Sequence, residues 1–391
     1  MKFTITNDNL HNLLAAATAV QRSPDPIQII AERIGDVPGQ TPIDTEERPA
    51  ETGRVRVIAY NESMVSEWRC PAEIKMTGVV SLEPGGLDRL VKASRKADST
   101  FTLETIETDN DRSLRLSTSR SAHEFPAVSG DVFNVIAPGR TAGKRANLAN
   151  LAAAITTAKI AAAARGETAG GRVMLTGVHI RARGQLFDIV GTDAKRLAIT
   201  TLRASDLGGL DLGDAERGIT IPPESLSLVT DMLNGPESCL EVIGNDLIVE
   251  NAEGSLSVRL IDLPYPDYTR LLGAPTTVTM TVPRASLDMA LQRSSVALAR
   301  DKRSVAVKLS HGPTGIYITS SAAGQSSSEC VSEEPGDDVA IGFDARYMQN
   351  AISAYGAGSV TLEFSADMTP IRITSKNHPE IQMLVMPCKI A

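Results

Sequence analysis

The sequence predicts an α+β protein with largely antiparallel sheets, organised as three copies of one unit. Three observations carry this expectation. A helix-opening phrase recurs as Asn9-Leu10-His11-Asn12-Leu13, Asn147-Leu148-Ala149-Asn150-Leu151 and Ser286-Leu287-Asp288-Met289-Ala290-Leu291, a period of about 120 to 140 residues. A strand-opening phrase recurs as Thr102-Leu103-Glu104, Cys239-Leu240-Glu241 and Thr361-Leu362-Glu363. Strand-like and helix-like stretches are interspersed without the strict alternation that a parallel sheet demands.

The first copy opens with a short apolar strand at residues 3–5, then the helix that begins at Asn9. Further on, Leu82-Glu83-Pro84 ends a strand and starts a helix over 86–94, since proline suits the first helical turn. The second copy repeats this with Ile221-Pro222-Pro223 and a helix over 224–233. Alternating apolar residues at 186–190, 247–250 and 255–260 predict its strands. The third has a strand at 278–282, a helix from Ser286, the stop-and-start signal Ile341-Gly342-Phe343-Asp344, a helix over 345–355 and a strand at 371–374. Boundaries near Ala137 and Leu272 divide the chain into domains 1–137, 138–272 and 273–391. Residues 35–53 break the plan. They are rich in Pro, Gly and acid, lack an apolar period, and predict a mobile surface insertion.

A chain of 391 residues exceeds one core and suits several domains. Aromatics are only 4%, so the cores are aliphatic and base stacking on single strands is disfavoured. No apolar run is long enough to span a membrane, and the polar start MKFTITNDNL lacks a signal-peptide core. The cysteines, Cys70, Cys239, Cys330 and Cys388, are scattered, which fits a reducing cytoplasm. The net charge of −8 argues against nucleic acid, but its distribution argues the other way. Residues 138–165 hold Arg140, Lys144, Arg145, Lys159 and Arg165 and no acid. Residues 284–303 hold Arg284, Arg293, Arg300, Lys302 and Arg303 against Asp288 and Asp301. Both read as helices. Their basic residues serve either as solvated faces or as a surface for phosphate.

No catalytic constellation is present. There is no phosphate-cradling G-x-x-x-x-G-K-[ST] loop and no G-x-S-x-G elbow. His11, His123, His179, His311 and His378 have no metal-ligand neighbour at short spacing, and the pairs Glu46-Glu47 and Glu333-Glu334 lie in polar loops. The expectation is a binding or scaffold protein with no catalytic residue, no metal and no cofactor.

Three segments are more specific: Thr192-Asp193-Ala194-Lys195-Arg196-Leu197-Ala198, Tyr265-Pro266-Asp267-Tyr268-Thr269-Arg270-Leu271-Leu272, and Leu384-Val385-Met386-Pro387-Cys388-Lys389-Ile390. In this order they resemble the patterns T-D-x-x-R-L-A, F-P-D-Y-x-x-[LV]-[LI] and V-M-P-[ML]-[RK] of the bacterial DNA polymerase III β subunit, the sliding clamp family. The resemblance implies three clamp-fold domains, each with sheets outside and two helices lining a central hole, closed into a ring-shaped homodimer. It implies a non-catalytic processivity factor that encircles duplex DNA and tethers the replicative polymerase. Clamp-loader subunits and other proteins with a clamp-binding motif are the further implied partners.

In that family the three segments form a peptide pocket between domains 2 and 3. The matching residues here are Arg172, Leu175, Thr192, Arg196, Leu197, Pro266, Arg270, Leu271, Asp344, Tyr347, Met368, Pro370, Leu384, Met386, Pro387 and Cys388. A groove of Leu, Met and Pro with guanidinium rims suits an extended peptide with apolar anchors. The same apolar residues would serve equally as core, and Asp193 with Arg196 as a turn-holding ion pair. The family often has Gly and then an aromatic or His where Ala194-Lys195 stands, an aromatic at Met174, and Met or Leu at Cys388. These departures and the 35–53 insertion leave open a plasmid or phage paralogue with altered partners; an enzyme on the same scaffold is the remaining alternative.

The resemblance also implies DNA-facing residues, Arg22, Arg89, Lys92, Lys144, Arg145, Lys159, Arg293 and Arg300, making sequence-independent phosphate contacts. It implies a dimer interface at His123 and Phe125 on one side and Leu298 and Ala299 on the other, with edge strands pairing across it.

Overall fold

The computed structural model describes the chain apart from residues 22–24, 37–43, 45, 95–98, 109–110, 129–144, 165, 167–170, 208–211, 213–216, 236, 299–304, 323–324, 366–368 and 390–391. From the amino terminus the elements are β1 (Lys2–Thr6), α1 (Asn7–Val20), β2 (Ile27–Arg33), β3 (Glu51–Tyr60), β4 (Met64–Met76), β5 (Gly78–Leu82), α2 (Pro84–Ser94), β6 (Thr100–Glu107), β7 (Arg112–Ser117) and β8 (Ala122–Pro126). Then come α3 (Ala149–Lys159), β9 (Val178–Arg183), β10 (Leu186–Thr192), β11 (Arg196–Arg203), β12 (Ile219–Ile221), α4 (Leu226–Leu233), β13 (Cys239–Ile243), β14 (Asp246–Glu250) and β15 (Gly254–Arg259). The last stretch holds α5 (Thr269–Leu272), β16 (Val278–Pro283), α6 (Arg284–Leu298), β17 (Ala306–Gly312), β18 (Gly315–Ala322), β19 (Gln325–Ser332), β20 (Val339–Asp344), α7 (Ala345–Ser353), β21 (Ser359–Phe364), β22 (Ile371–Thr374) and β23 (Ile381–Val385).

The fold is α+β, and the order helix, four strands, helix, three strands recurs from α1, from α3 and from α6. Local chemistry explains the element starts. Thr6 caps α1 by accepting from the Asn9 amide, and Asp344 caps α7 by accepting from Arg346 and Tyr347. Pro84 begins α2, where a missing amide costs nothing. Helix α4 starts two residues later than the sequence suggests. The Ser225 amide bonds the Pro222 carbonyl, so residues 223–225 form a turn instead.

Contacts divide the chain into two compact units, Met1–Leu148 with Ser227–Leu260, and Ala149–Leu226 with Ile261–Ala391. Sheet pairing is the physical reason. In the first unit the ladder runs β13-β14-β15-β4-β1-β6-β7-β8, with β2, β3 and β5 joined through the β3–β4 pairing. Strand β15 docks on β4 with Gly254 opposite Trp68. In the second unit one sheet runs β12-β9-β10-β11-β23-β22-β21-β16 and another runs β19-β18-β17-β20. The β11–β23 ladder there joins strands far apart in sequence, and the recurring element order of the middle stretch is shared between the two units. Among the described residues the strand pairings are antiparallel.

The insertion is partly ordered, against expectation. Residues 51–53 form the start of β3, with Gly53 opposite Arg33. Asp44 is held by the Arg33 guanidinium and by reciprocal bonds with Thr77. The basic stretch at 138–165 is helical over Ala149–Lys159, and that at 284–303 over Arg284–Leu298; residues 129–144, 165 and 299–304 lie outside the described residues.

In the second unit, helix α3 packs on the hairpin β10–β11. At Gly191 a Cβ would meet the Ala158 carbonyl oxygen at 2.0 Å, so only glycine lets this strand approach so closely. That contact fixes the hairpin that ends at Thr192.

Candidate functional site

The hairpin β10–β11 turns at residues 193–195, and local hydrogen bonds set the turn. Asp193 Oδ1 accepts from the amides of Lys195 and Arg196, both at 2.9 Å, and its Oδ2 accepts from Arg196 Nε at 3.1 Å. Thr192 Oγ1 donates to the Arg196 carbonyl at 2.6 Å and accepts from the Ala194 amide at 3.1 Å. This geometry puts Ala194 at φ 71°, a left-handed conformation that favours glycine. The ion pair expected of Asp193 and Arg196 is present, and it holds the turn.

Strand β23 runs beside β11, with Leu384 opposite Leu197 and Val385 opposite Arg196. The tail beyond it stays attached. The Met386 amide donates to the Lys195 carbonyl and the Cys388 amide to the Gly342 carbonyl, each at 2.8 Å, while Pro387 bridges to Phe343. The third segment closes the cluster. Tyr268 is buried against Val190, Leu197, Ile199 and Leu384, with Tyr265 and Leu272 packed alongside. All of this lies inside the second unit.

Buried polar groups pin the third segment. The Tyr268 hydroxyl donates to Asp188 Oδ2 at 3.3 Å; Asp188 also accepts from Arg183 Nε at 3.1 Å and from Thr201 Oγ1 at 2.9 Å. Burial, then the Asp188 charge, pushes the Tyr268 hydroxyl pKa up, so it remains a donor. Tyr265 stacks on His179, ring centroids 4.3 Å apart and nearly parallel. Burial, then the charge on Arg181, pushes His179 down to about 4, and it meets Thr220 Oγ1 at 3.0 Å as a neutral ring. Sequence reasoning missed Asp188, His179 and Tyr265 as supports. The signal available was the pair of tyrosines flanking Pro266-Asp267, since buried Tyr hydroxyls want partners.

The expected pocket residues separate into floor and surface. Leu197 and Leu384 are each 3% exposed, and Leu175 and Pro370 are also buried; these form a packed floor. Leu271 at 40%, Met386 at 38% and the neighbouring Val173 at 50% are the exposed apolar groups of these segments. Arg172, Pro266 and Arg270 are exposed, and Arg270 pairs with Asp267. Tyr347 is half-buried, with the Arg196 guanidinium 4.9 Å above its ring. Cys388 is half-buried, and burial followed by the Asp344 charge raises its thiol pKa, so it stays protonated. Met368 lies outside the described residues. The arrangement has no nucleophile–base pair. It offers apolar surface, cations and free space beside a strand end, which suits binding rather than reaction.

The other expected sites are less assembled. Arg89, Lys92 and Lys159 are exposed on helices, but Lys92 pairs with Asp88 at 2.7 Å. Arg145 is bound to Glu250 at 3.1 Å and to the Glu237 carbonyl, and Arg293 pairs with Glu329 at 3.3 Å. Arg22, Lys144 and Arg300 lie outside the described residues. His123 and Phe125 sit on β8, the last strand of its sheet. Leu298 is the final residue of α6, and Ala299 lies outside the described residues. Among the described residues no cluster of His, Cys, Asp or Glu is placed to hold a metal, and no helix is long and apolar enough to cross a membrane.

Comparison with known proteins now adds to this geometry. The crystal structure of the Caulobacter crescentus β sliding clamp superposes with a TM-score of 0.82, at 20% identity, over 100% of this chain and 99% of that one. The fold is that of the β sliding clamp. The Bacillus subtilis DNA polymerase sliding clamp matches at a TM-score of 0.79, 20% identity and full coverage of both chains. A Helicobacter pylori β clamp bound to a DNA ligase peptide matches at 0.80 and 19% identity, again at full coverage of both chains. In sequence the chain resembles the β sliding clamps of Synechocystis, 24% identical over 371 residues, and Synechococcus elongatus, 22% over 349 residues; these alignments cover 88% and 87% of this chain and 90% and 89% of the relatives. Residues 269–389 match the family model for the C-terminal domain of the DNA polymerase III beta subunit. That clamp-fold segment contains α5, β23 and the tail residues of the site.

Proposed function

We propose that this chain is a DNA sliding clamp, a non-catalytic processivity factor of the replicative polymerase holoenzyme that works in the cytoplasm. Two copies close into a ring around duplex DNA. Each is read as three domains, 1–137, 138–272 and 273–391. The apolar site built on β10, β11, α5 and β23 takes a short peptide from the polymerase, from the clamp loader or from other DNA-processing proteins. One observation carries the reading: in a chain with the clamp fold along its length, the three clamp-like segments meet around Leu197, Leu384 and Tyr268, beside the exposed Met386. The edge strands β8 and β19 support ring closure, because a closed ring leaves no edge unpaired.

The test is retention on DNA. Protein loaded by a clamp loader onto nicked circular DNA is expected to stay bound through gel filtration and to leave once the circle is linearised. Equal retention on circular and linear DNA would show that the hold is not topological. Free protein is expected to bind duplex only weakly, with affinity falling steeply between about 50 and 200 mM salt.

A further inference from the structure

We infer that the docking peptide of this clamp's partners carries carboxylates beside its apolar anchors, read by a ring of cations around Tyr347. This rests on the peptide-site reading above and adds the charge of the ligand.

The cations converge on one ring. Arg196 lies 4.9 Å from the Tyr347 centroid, Arg346 at 5.4 Å and the Lys195 ammonium at 5.8 Å. Tyr347 sits in the first turn of α7, whose own amino terminus adds positive potential. Three like charges around one aromatic face repel one another, and the ring quadrupole offsets only part of that. The local carboxylates are already engaged. Asp193 binds Arg196 and two backbone amides, Asp344 caps α7, and Asp267 binds Arg270 and Thr269. Arg196 supplies an independent sign of a missing partner. Its side chain is 13% exposed, yet its buried Nη1 has no hydrogen-bond partner. A buried donor left unpaired is costly, and an acceptor on an incoming chain would relieve it.

The chain as a whole carries a net charge of −8, so a local concentration of positive charge needs a reason. Lys195 is where the clamp family often has an aromatic or His. Lys195 and Arg346 are both exposed and lie beside the surface formed by Met386, whose amide is bonded to the Lys195 carbonyl. An extended peptide with its anchors against Met386 and Leu271 would bring flanking carboxylates within reach of these ends. A carboxylate there gains charge-assisted hydrogen bonds and a faster, salt-sensitive encounter.

The experiment compares two labelled peptides by fluorescence anisotropy with the full-length protein. Both carry Gln-Leu-Ser-Leu-Phe; one is flanked on each side by Asp-Asp and the other by Asn-Asn. The acidic peptide is expected to bind about tenfold more tightly at 50 mM salt, and the difference is expected to shrink severalfold by 500 mM. In the double variant Lys195→Gln, Arg346→Gln the ratio is expected to fall towards one. Both replaced side chains are exposed, so the melting temperature is expected to hold and to serve as the folding control. Equal affinities for the unaltered protein would overturn the inference while leaving the peptide site intact. A preference that survives unchanged in the double variant would also overturn it, because the selecting charge would then lie elsewhere. Failure of both peptides to bind would remove the peptide-site reading itself, and this inference with it.

Discussion

Replacing Met386 and Leu197 separately by Ala divides the binding surface from the core beneath it. Met386 is 38% exposed, and full burial of a Met side chain is worth about 1.5–3 kcal/mol. A peptide that covers only the exposed part therefore gains about 1 kcal/mol from it, or roughly a fivefold change in Kd. Met386→Ala is expected to raise the Kd of a Gln-Leu-x-Leu-Phe peptide by that factor. The melting temperature is expected to move little, because the backbone bond from Met386 to Lys195 survives truncation. Leu197 is 3% exposed and packs against Tyr268 and Leu384, so Leu197→Ala opens a cavity and costs about 2–5 kcal/mol of stability. It is expected to weaken peptide binding as well, through the shifted Tyr268 segment. Titration of labelled peptide, with thermal melts of the same samples, measures both quantities. If Met386→Ala binds as the unaltered protein does, the exposed methionine is not part of the binding surface and the reasoning fails. If Leu197→Ala melts normally, the cluster is not the packed floor described above.

Stability is expected to depend on pH through His179. Its folded pKa of about 4 lies below the ordinary value, so the neutral ring contributes fully above about pH 6.5 and the contribution is lost as pH falls towards 4, about 2 kcal/mol of it by pH 5. His179→Phe is expected to flatten the melting-temperature curve between pH 6.5 and 5; an unchanged slope would place the titration elsewhere. Ala194→Gly is expected to stabilise the protein by about 0.5–1 kcal/mol, since relief of the left-handed φ outweighs the extra chain entropy of glycine; a fall in melting temperature would refute this. Arg56 bridges the buried Glu32 and Glu67 at 3.1 and 2.7 Å. Arg56→Met is expected to cost about 3–5 kcal/mol in urea unfolding followed by the fluorescence of the single tryptophan, Trp68, with partial recovery on adding Glu67→Gln; a loss below about 1 kcal/mol would mean the carboxylates are well solvated.

Much of the fold was legible because its signals are local. Phrases that start helices and strands repeat, and capping residues such as Asp344 mark a boundary on their own. The pairing of β11 with β23 was not legible from periodicity, since nothing in either strand specifies a partner nearly two hundred residues away. The resemblance of the end segments pointed to it instead. In the site, composition identified the apolar residues but not their depth. Leu197, Leu384 and Leu175 became floor while Met386 and Leu271 stayed at the surface, a distinction set by sheet register and by the anchoring of Tyr268. The order found at residues 51–53 was hidden because Gly53 and two polar residues carry no apolar period; the strand forms there because β2 and β4 offer free edges to pair with.

Charge separates the two binding roles proposed for this chain. Helix α1 contains no Lys or Arg, and α3 contains only Lys159. Of the remaining helix cations expected to meet DNA, Lys92 and Arg293 already hold acidic partners. Exposed ion pairs are weak, about 1 kcal/mol or less, so phosphate can compete for them, but each such exchange gains little. An acidic protein with so few uncommitted helix cations has a poor ionic grip on duplex DNA. That weakness fits a protein that holds DNA by enclosure, where strong contacts would hinder movement along the strand. The peptide site has the opposite requirement. Its partner must be picked from solution and released, and there the cations are concentrated around a single tyrosine. The same side-chain chemistry is thus spread thin where passage is wanted and gathered where recognition is wanted.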